Sequence, residues 1–221
     1  MGIVCPICGG NESAKVMDNW RLCKCGAGFQ SPAKTMDEMA EYYKSDYRPE
    51  GYPREHDRRV WANRITRQAE IIELAGIESA DSILDVGCAS GALVLGLQKI
   101  LGARYVAGTE LNLEDMERCH ESGVDCRLGI DQFDTKFDLV TMSHSLEHFD
   151  DPMAVLRDLH DRLSNSHIMV ELPHPTSQSA WQDFHYVVIS ETVLERMFRE
   201  TGWHSVTART LPGIHQAVAE R

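Results

Sequence analysis

The chain has 221 residues, 43% of them hydrophobic and 25% charged, with a formal net charge of −12. That length holds one full α/β domain plus a small appendage, and the composition is that of an ordinary globular protein. The acidity argues against a protein that grips nucleic acid by broad phosphate neutralisation, and no run of about eighteen apolar residues is present to span a membrane.

The N-terminal stretch MGIVCPICGG has no basic region followed by an apolar one. It does not read as a secretion signal, and a cytoplasmic location is expected. Cys5-Pro6-Ile7-Cys8 and Cys23-Lys24-Cys25-Gly26 are two close cysteine pairs separated by fourteen residues. Four thiolates so spaced can surround Zn²⁺ tetrahedrally, each pair supplied by a turn where proline or glycine lets the chain bend. Residues 1–34 are therefore expected to form a zinc ribbon held by Cys5, Cys8, Cys23 and Cys25, the second pair being C-x-C where C-x-x-C is usual. A unit this small buries too little apolar surface to fold alone, so the metal would supply its folding energy, in a structural role. Cys88, Cys119 and Cys126 are scattered and read as small buried hydrophobes. Residues 1–34 carry four basic and two acidic side chains, a balance of +2, which leaves −14 on the remainder.

Residues 35–78 read as a helical linker and cap. Its methionines and tyrosines between 36 and 52 suit a short helix, with two roles open: a cap over a ligand cleft, or packing of the ribbon against the main domain. Residues 54 to 75 read as a long helix with the apolar stripe Trp61, Ile65, Ala69 and Ile72, and His56 is the one reactive side chain noted near it.

The main domain, 79–221, begins with the run Ser82-Ile83-Leu84-Asp85-Val86-Gly87-Cys88-Ala89-Ser90-Gly91, followed by the helical apolar pattern Leu93, Val94, Leu97, Ile100 and Leu101. Glycines at 87 and 91 permit positive φ and close approach, and the free amides of the next helix lie at the strand tip. A nucleotide-like ligand is implied. A dinucleotide turn would read G-x-G-x-x-G and face an anionic pyrophosphate. Here Asp85 stands at the strand end, which repels a pyrophosphate and suits a ligand carrying an ammonium and a sulfonium, as S-adenosylmethionine does. A second β-prone run, Tyr105–Thr109, ends in Glu110, a spacing that sets a carboxylate beside ribose hydroxyls.

Asn112 is expected to cap a helix containing Met116 and Cys119 that Gly123 can end, and a strand follows at Val124 to Leu128. The run Phe137 to Met142 suits a strand buried on both faces. Asp151 caps a helix with Pro152 at its first position and Met153, Leu156, Leu159 and Leu163 as its stripe. Strand Ile168 to Leu172, a helix from Ser190 to Gly202, and a closing antiparallel pair at Trp203 to Thr207 and His215 to Val218 complete the chain. The expected fold is a Rossmann-like, seven-stranded, mainly parallel α/β sheet with helices on both faces, preceded by the ribbon.

In order, the motifs LDVGCASG, GTELN and FDLVTMSHSLEHFDDP resemble those of class I S-adenosylmethionine-dependent methyltransferases, over roughly residues 80 to 221. Ala89 stands where that family commonly has glycine. The resemblance implies cofactor contacts from Asp85, Gly87, Ser90, Gly91, Glu110, Leu111, Asp131 and Ser143, with Asp131 at the adenine, although a solvated loop acid is the equal alternative there. Ribbons of this kind precede a similar group that acts on sugars and other small metabolites, and Glu41 to Tyr47 matches its tyrosine-rich bridge. Methyl transfer requires alignment of acceptor and methyl group, and removal of a proton if the acceptor is a hydroxyl, amine or acidic carbon. His144 or His185 is the expected base, and His174 also follows a strand at that edge. Glu147 and His148 sit a few residues deeper and can serve simply to fix the loop. The leading expectation is a methyltransferase acting on a small, sugar-like or biosynthetic metabolite. The others are a zinc-ribbon RNA methyltransferase and a non-catalytic module that docks through its ribbon.

Overall fold

The computed structural model describes residues 2–45 and 54–221. Tyr47, together with the rest of the expected bridge and cap between 46 and 53, lies outside the described residues, as does the side chain of His56. Among the described residues are two sheets. The larger contains β4 (Ser82–Val86), β5 (Tyr105–Thr109), β6 (Asp125–Arg127), β7 (Phe137–Ser143), β8 (Ser164–Pro173), β10 (His204–Leu211) and β11 (Ile214–Glu220). Their order is β10-β11-β8-β7-β4-β5-β6. The five strands from β8 to β6 are parallel, and β11 runs antiparallel to both its neighbours.

Both faces are covered because alternate residues along each strand enter different cores. Ile83, Leu139, Met169 and Val218 pack with helices α2 (Arg54–Leu74) and α3 (Ala92–Leu101) and with Cys119 of α4 (Leu113–Glu121). Their neighbours Leu84, Val140, Val170 and Ala217 pack on the opposite face with α5 (Pro152–Asp158) and α6 (Glu191–Glu200). This two-sided burial explains the near-continuous apolar runs of the central strands. Asn112, Asp151 and Ser190 each accept a hydrogen bond from the backbone of the first turn they precede, as helix caps do. The stripe from Met153 to Leu163 is not one α-helix: after Asp158 the chain widens into a π turn, Leu159–Leu163, and runs straight into β8.

The smaller sheet, in order β1 (Ser13–Met17), β2 (Trp20–Cys23), β3 (Gly28–Gln30) and β9 (Val187–Val188), takes its last strand from the far end of the chain. β3 pairs with β9 through Gly28 to Val188 and Phe29 to Val187. The boundary expected at residue 34 is therefore crossed by a strand ladder. Tyr42 of α1 (Met36–Ser45) stacks on Phe184 with ring centroids 4.5 Å apart, so the described part of the linker packs against the segment leading into β9.

Candidate active site

Chain order reverses between β4 and β7, and in open α/β sheets the ligand crevice lies there, outside the carboxyl ends of the strands. A cleft of about 280 Å³ occupies that place, with Gly87, Glu110, Leu111, Asp131, His144 and His148 among the residues lining it.

The loop after β4 is the most constrained part of the cleft. Gly87, Ala89 and Gly91 all have left-handed backbones, with φ of 80°, 49° and 76°. A Cβ on Gly87 would stand 2.8 Å from that of Ser145, and one on Gly91 would stand 2.9 Å from Cys119 Sγ. Gly108 on β5 leaves the space that Cys88 fills, since a Cβ there would meet its sulfur at 2.4 Å. Glycine fits the Ala89 position better for the same steric reason, because a Cβ crowds the following carbonyl when φ is positive.

Glu110 ties this loop to the next one. Its Oε2 accepts the Ala89 amide at 2.9 Å, and its Oε1 accepts the amides of Leu111 and Asn112, both at 2.8 Å. A carboxylate has about four lone-pair sites, so these three bonds leave room for roughly one more donor. Burial pushes the Glu110 pKa up. Asp85 lies behind the loop at 1% exposure and accepts a 2.7 Å bond from the Thr141 hydroxyl. Burial disfavours its charge and raises its pKa to about 7, against the opposing hydrogen bond. At the opposite rim, Leu111 and Leu128 are 60% and 46% exposed, an apolar edge facing open space.

The other wall is a buried polar cluster. His144 follows β7 with φ of 53°, a strained value for a non-glycine residue. Its Nε2 is 3.3 Å from Glu171 and its Nδ1 is 3.6 Å from Glu147. Burial disfavours the imidazolium, but the two carboxylates outweigh it and raise the His144 pKa. Glu171, fully buried at the end of β8, also accepts bonds from Arg67 at 3.1 Å, Gln216 at 2.6 Å and Ser143 at 3.3 Å. Burial alone would raise its pKa, yet His144 and Arg67 hold it at about 2. Burial likewise opposes ionisation of Glu147, and His144 brings its pKa to about 2. His185 is buried, its pKa lowered to about 4 by that burial, and it does not line the cleft.

Of the residues expected at the cofactor, Gly87, Glu110, Leu111 and Asp131 line the cleft, whereas Asp85 sits behind it and Ser143 turns to Glu171. Ser90 and Gly91 belong to the turn that shapes the cleft without lining it. His174 is half-buried and bonded to Thr176. Sequence reading missed Arg67 and Glu171. The signal of Glu171 was a single charge within the otherwise apolar strand Ile168 to Leu172, whereas Arg67 is one of several charges on α2 and had none.

The four N-terminal cysteines converge. Cys5 and Cys25 sulfurs are 3.8 Å apart and those of Cys8 and Cys23 are 3.5 Å apart. Zinc–sulfur bonds of about 2.3 Å require sulfur separations of about 3.8 Å in a tetrahedron, so the donor set fits that ion. Amides of Gly10 and Cys25 point at the sulfurs of Cys8 and Cys23, at 3.4 and 3.5 Å, as suits thiolates.

A family described as a methyltransferase domain matches residues 54–210. No curated protein matches the chain. Its fold is similar to that of an S-adenosylmethionine-dependent methyltransferase from Archaeoglobus fulgidus, with 16% identity, a TM-score of 0.59, and coverage of 73% of this chain and 94% of that one. It is also similar to magnesium protoporphyrin IX methyltransferase from Synechocystis with bound S-adenosylhomocysteine, with 13% identity, a TM-score of 0.59, and coverage of 84% and 94%. A third, an O-methyltransferase so described from Nostoc punctiforme, has 16% identity, a TM-score of 0.62, and coverage of 87% and 63%. With the cleft at the strand-order reversal and the family match across most of the domain, this chain belongs to the methyltransferase-domain family and is a class I S-adenosylmethionine-dependent methyltransferase.

Proposed function

We propose that the enzyme methylates a small molecule, sugar-like or biosynthetic, with His144 as proton acceptor and a structural Zn²⁺ on Cys5, Cys8, Cys23 and Cys25. The observation that carries the acceptor class is the charge of the cleft. Asp131, Asp150 and Glu110 line it, and among the described residues no lysine or arginine does. With −14 on the chain beyond residue 34, a polyanion would meet repulsion along its approach.

The cofactor reading assigns its ribose to Glu110, its adenine to the apolar edge of Leu111 and Leu128 near Asp131, and its cationic end to the Asp85 side of the Gly87 turn. Ser90, Gly91 and Ser143 shape that turn and the adjoining strand end. The exposed leucines support this arrangement, since an apolar edge at a cleft mouth is what a flat ligand covers. His144 is preferred over His185 because it lines the cleft. Seven cysteines without a disulfide support a reducing, cytoplasmic setting, and no described helix is long and apolar enough to cross a membrane.

Electrophoretic mobility shift with bulk RNA at low salt tests the acceptor class. No shift at micromolar protein is expected. Salt-sensitive binding would favour an RNA substrate and overturn the assignment.

A further inference from the structure

We propose that Glu147, His148 and His185 form a second metal site, distinct from the cysteine cluster, for a divalent transition-metal ion at the acceptor end of the cleft. One ligand atom from each of the three lies within 4.8 Å of the other two. Bonds of about 2.0–2.2 Å to one ion would place such atoms about 3–3.5 Å apart, so the side chains need to close by only about 1–2 Å.

Glu147 gives the independent reason to expect an ion. It is 2% exposed, and neither carboxylate oxygen accepts a hydrogen bond among the described residues. Buried polar atoms almost always have partners, and a buried carboxylate without them is costly. His144 does not supply the missing partner, because its Nδ1 stands 3.6 Å from Oε1, which is too far for a hydrogen bond.

The histidines are turned as ligands are. His148 Nδ1 is 3.0 Å from the Phe184 carbonyl, and His185 Nδ1 is 3.0 Å from the Ala180 carbonyl. A carbonyl can only accept, so each Nδ1 carries the proton, and in a neutral ring Nε2 then carries the lone pair. Metal-binding histidines characteristically donate their other N–H to such an acceptor. The two rings lie nearly perpendicular, at 83°, with centroids 4.7 Å apart. The segments carrying the three ligands are stitched together, since the Tyr186 amide donates to the Glu147 carbonyl at 2.8 Å.

One carboxylate and two imidazoles suit Mn²⁺, Fe²⁺, Co²⁺ or Zn²⁺ better than Ca²⁺ or Mg²⁺, which prefer all-oxygen shells. His148 lines the cleft while Glu147 and His185 do not, so the open coordination positions face the acceptor. The ion-binding claim stands on these three residues, whereas the ion's role rests on the acceptor reading above. There it would bind the oxygen to be methylated and ease loss of its proton to His144. The oxygen lone pair then forms the bond to the methyl carbon as the carbon–sulfur bond breaks, its electron pair staying on sulfur.

The test is calorimetric titration of Mn²⁺ alone into the full chain with its zinc in place and no acceptor present. Mn²⁺ has little affinity for thiolates, so the cysteine cluster does not compete. One Mn²⁺ per chain is expected, bound at least tenfold more weakly by Glu147→Gln and by His185→Gln, with S-adenosylmethionine affinity unchanged in His185→Gln. That unchanged affinity shows that the variant is folded, so a Glu147→Gln protein that fails to fold leaves the His185 comparison decisive. Absence of Mn²⁺ binding to the wild-type chain, or equal binding by His185→Gln, would overturn the site. Neither result depends on which acceptor the enzyme uses.

Discussion

Asp85 and Ala89 show how single side chains set the behaviour of the cofactor loop. The Asp85 pKa is raised from an ordinary 3.8 to about 7, so the folded protein holds a proton that the unfolded chain has released. Its contribution to stability is therefore fully present below about pH 4 and is lost as pH rises through about 7, by at most about 4 kcal/mol. Chemical denaturation of the cofactor-free protein should show that slope, and Asp85→Asn should flatten it. A cationic ligand beside this carboxylate should bind more tightly as pH rises through about 7, releasing a proton. Ala89 holds φ of 49°, and Ala89→Gly should relieve the strain and stabilise the protein by about 0.5–1 kcal/mol, measured as a higher denaturation midpoint. The sequence revealed that 89 is a glycine position by resemblance. It did not reveal that Glu110 would already be bonded to three amides, because that depends on how two loops meet.

Among the elements, the βα units were the most legible, because strand, small-residue turn and helix stripe are contiguous in sequence. β4 and β5 stand as read, and the strand expected at Val124 to Leu128 is shortened to Asp125–Arg127. The two-residue β9 has no pattern of its own and exists only because β3 lies beside it. Arg67 and Glu171 were hidden for a related reason: a charge is tolerated in a core only with a partner, and the partner lies 104 residues away. The β3–β9 ladder gives the cysteine cluster a reach beyond the N-terminus. Gln30 donates to the Asp183 carbonyl and its amide bonds the Tyr186 carbonyl, so the ribbon braces the segment that carries His185. Elemental analysis should find zinc on the four cysteines. Its removal by a chelator should raise hydrogen exchange at residues 28–30 and 186–188 while the seven-stranded sheet stays protected. Metal-free protein with an ordered N-terminus and unchanged exchange would contradict the structural role.

At the scale of the whole molecule, the seven-stranded α/β class followed from alternating strand and helix patterns, but the order of strands did not. That order is fixed by long-range pairing, and it places the cleft between the loop after β4 and the histidine cluster after β7. The central claim is that this cleft takes S-adenosylmethionine with its ribose at Glu110. Titration calorimetry of wild-type protein and Glu110→Ala tests it most directly. The account predicts one S-adenosylmethionine per wild-type chain and affinity about tenfold or more weaker in the variant, since charged hydrogen bonds contribute about 1.5–3 kcal/mol each. Unchanged affinity in Glu110→Ala, or tighter binding of NAD than of S-adenosylmethionine by the wild type, would contradict it.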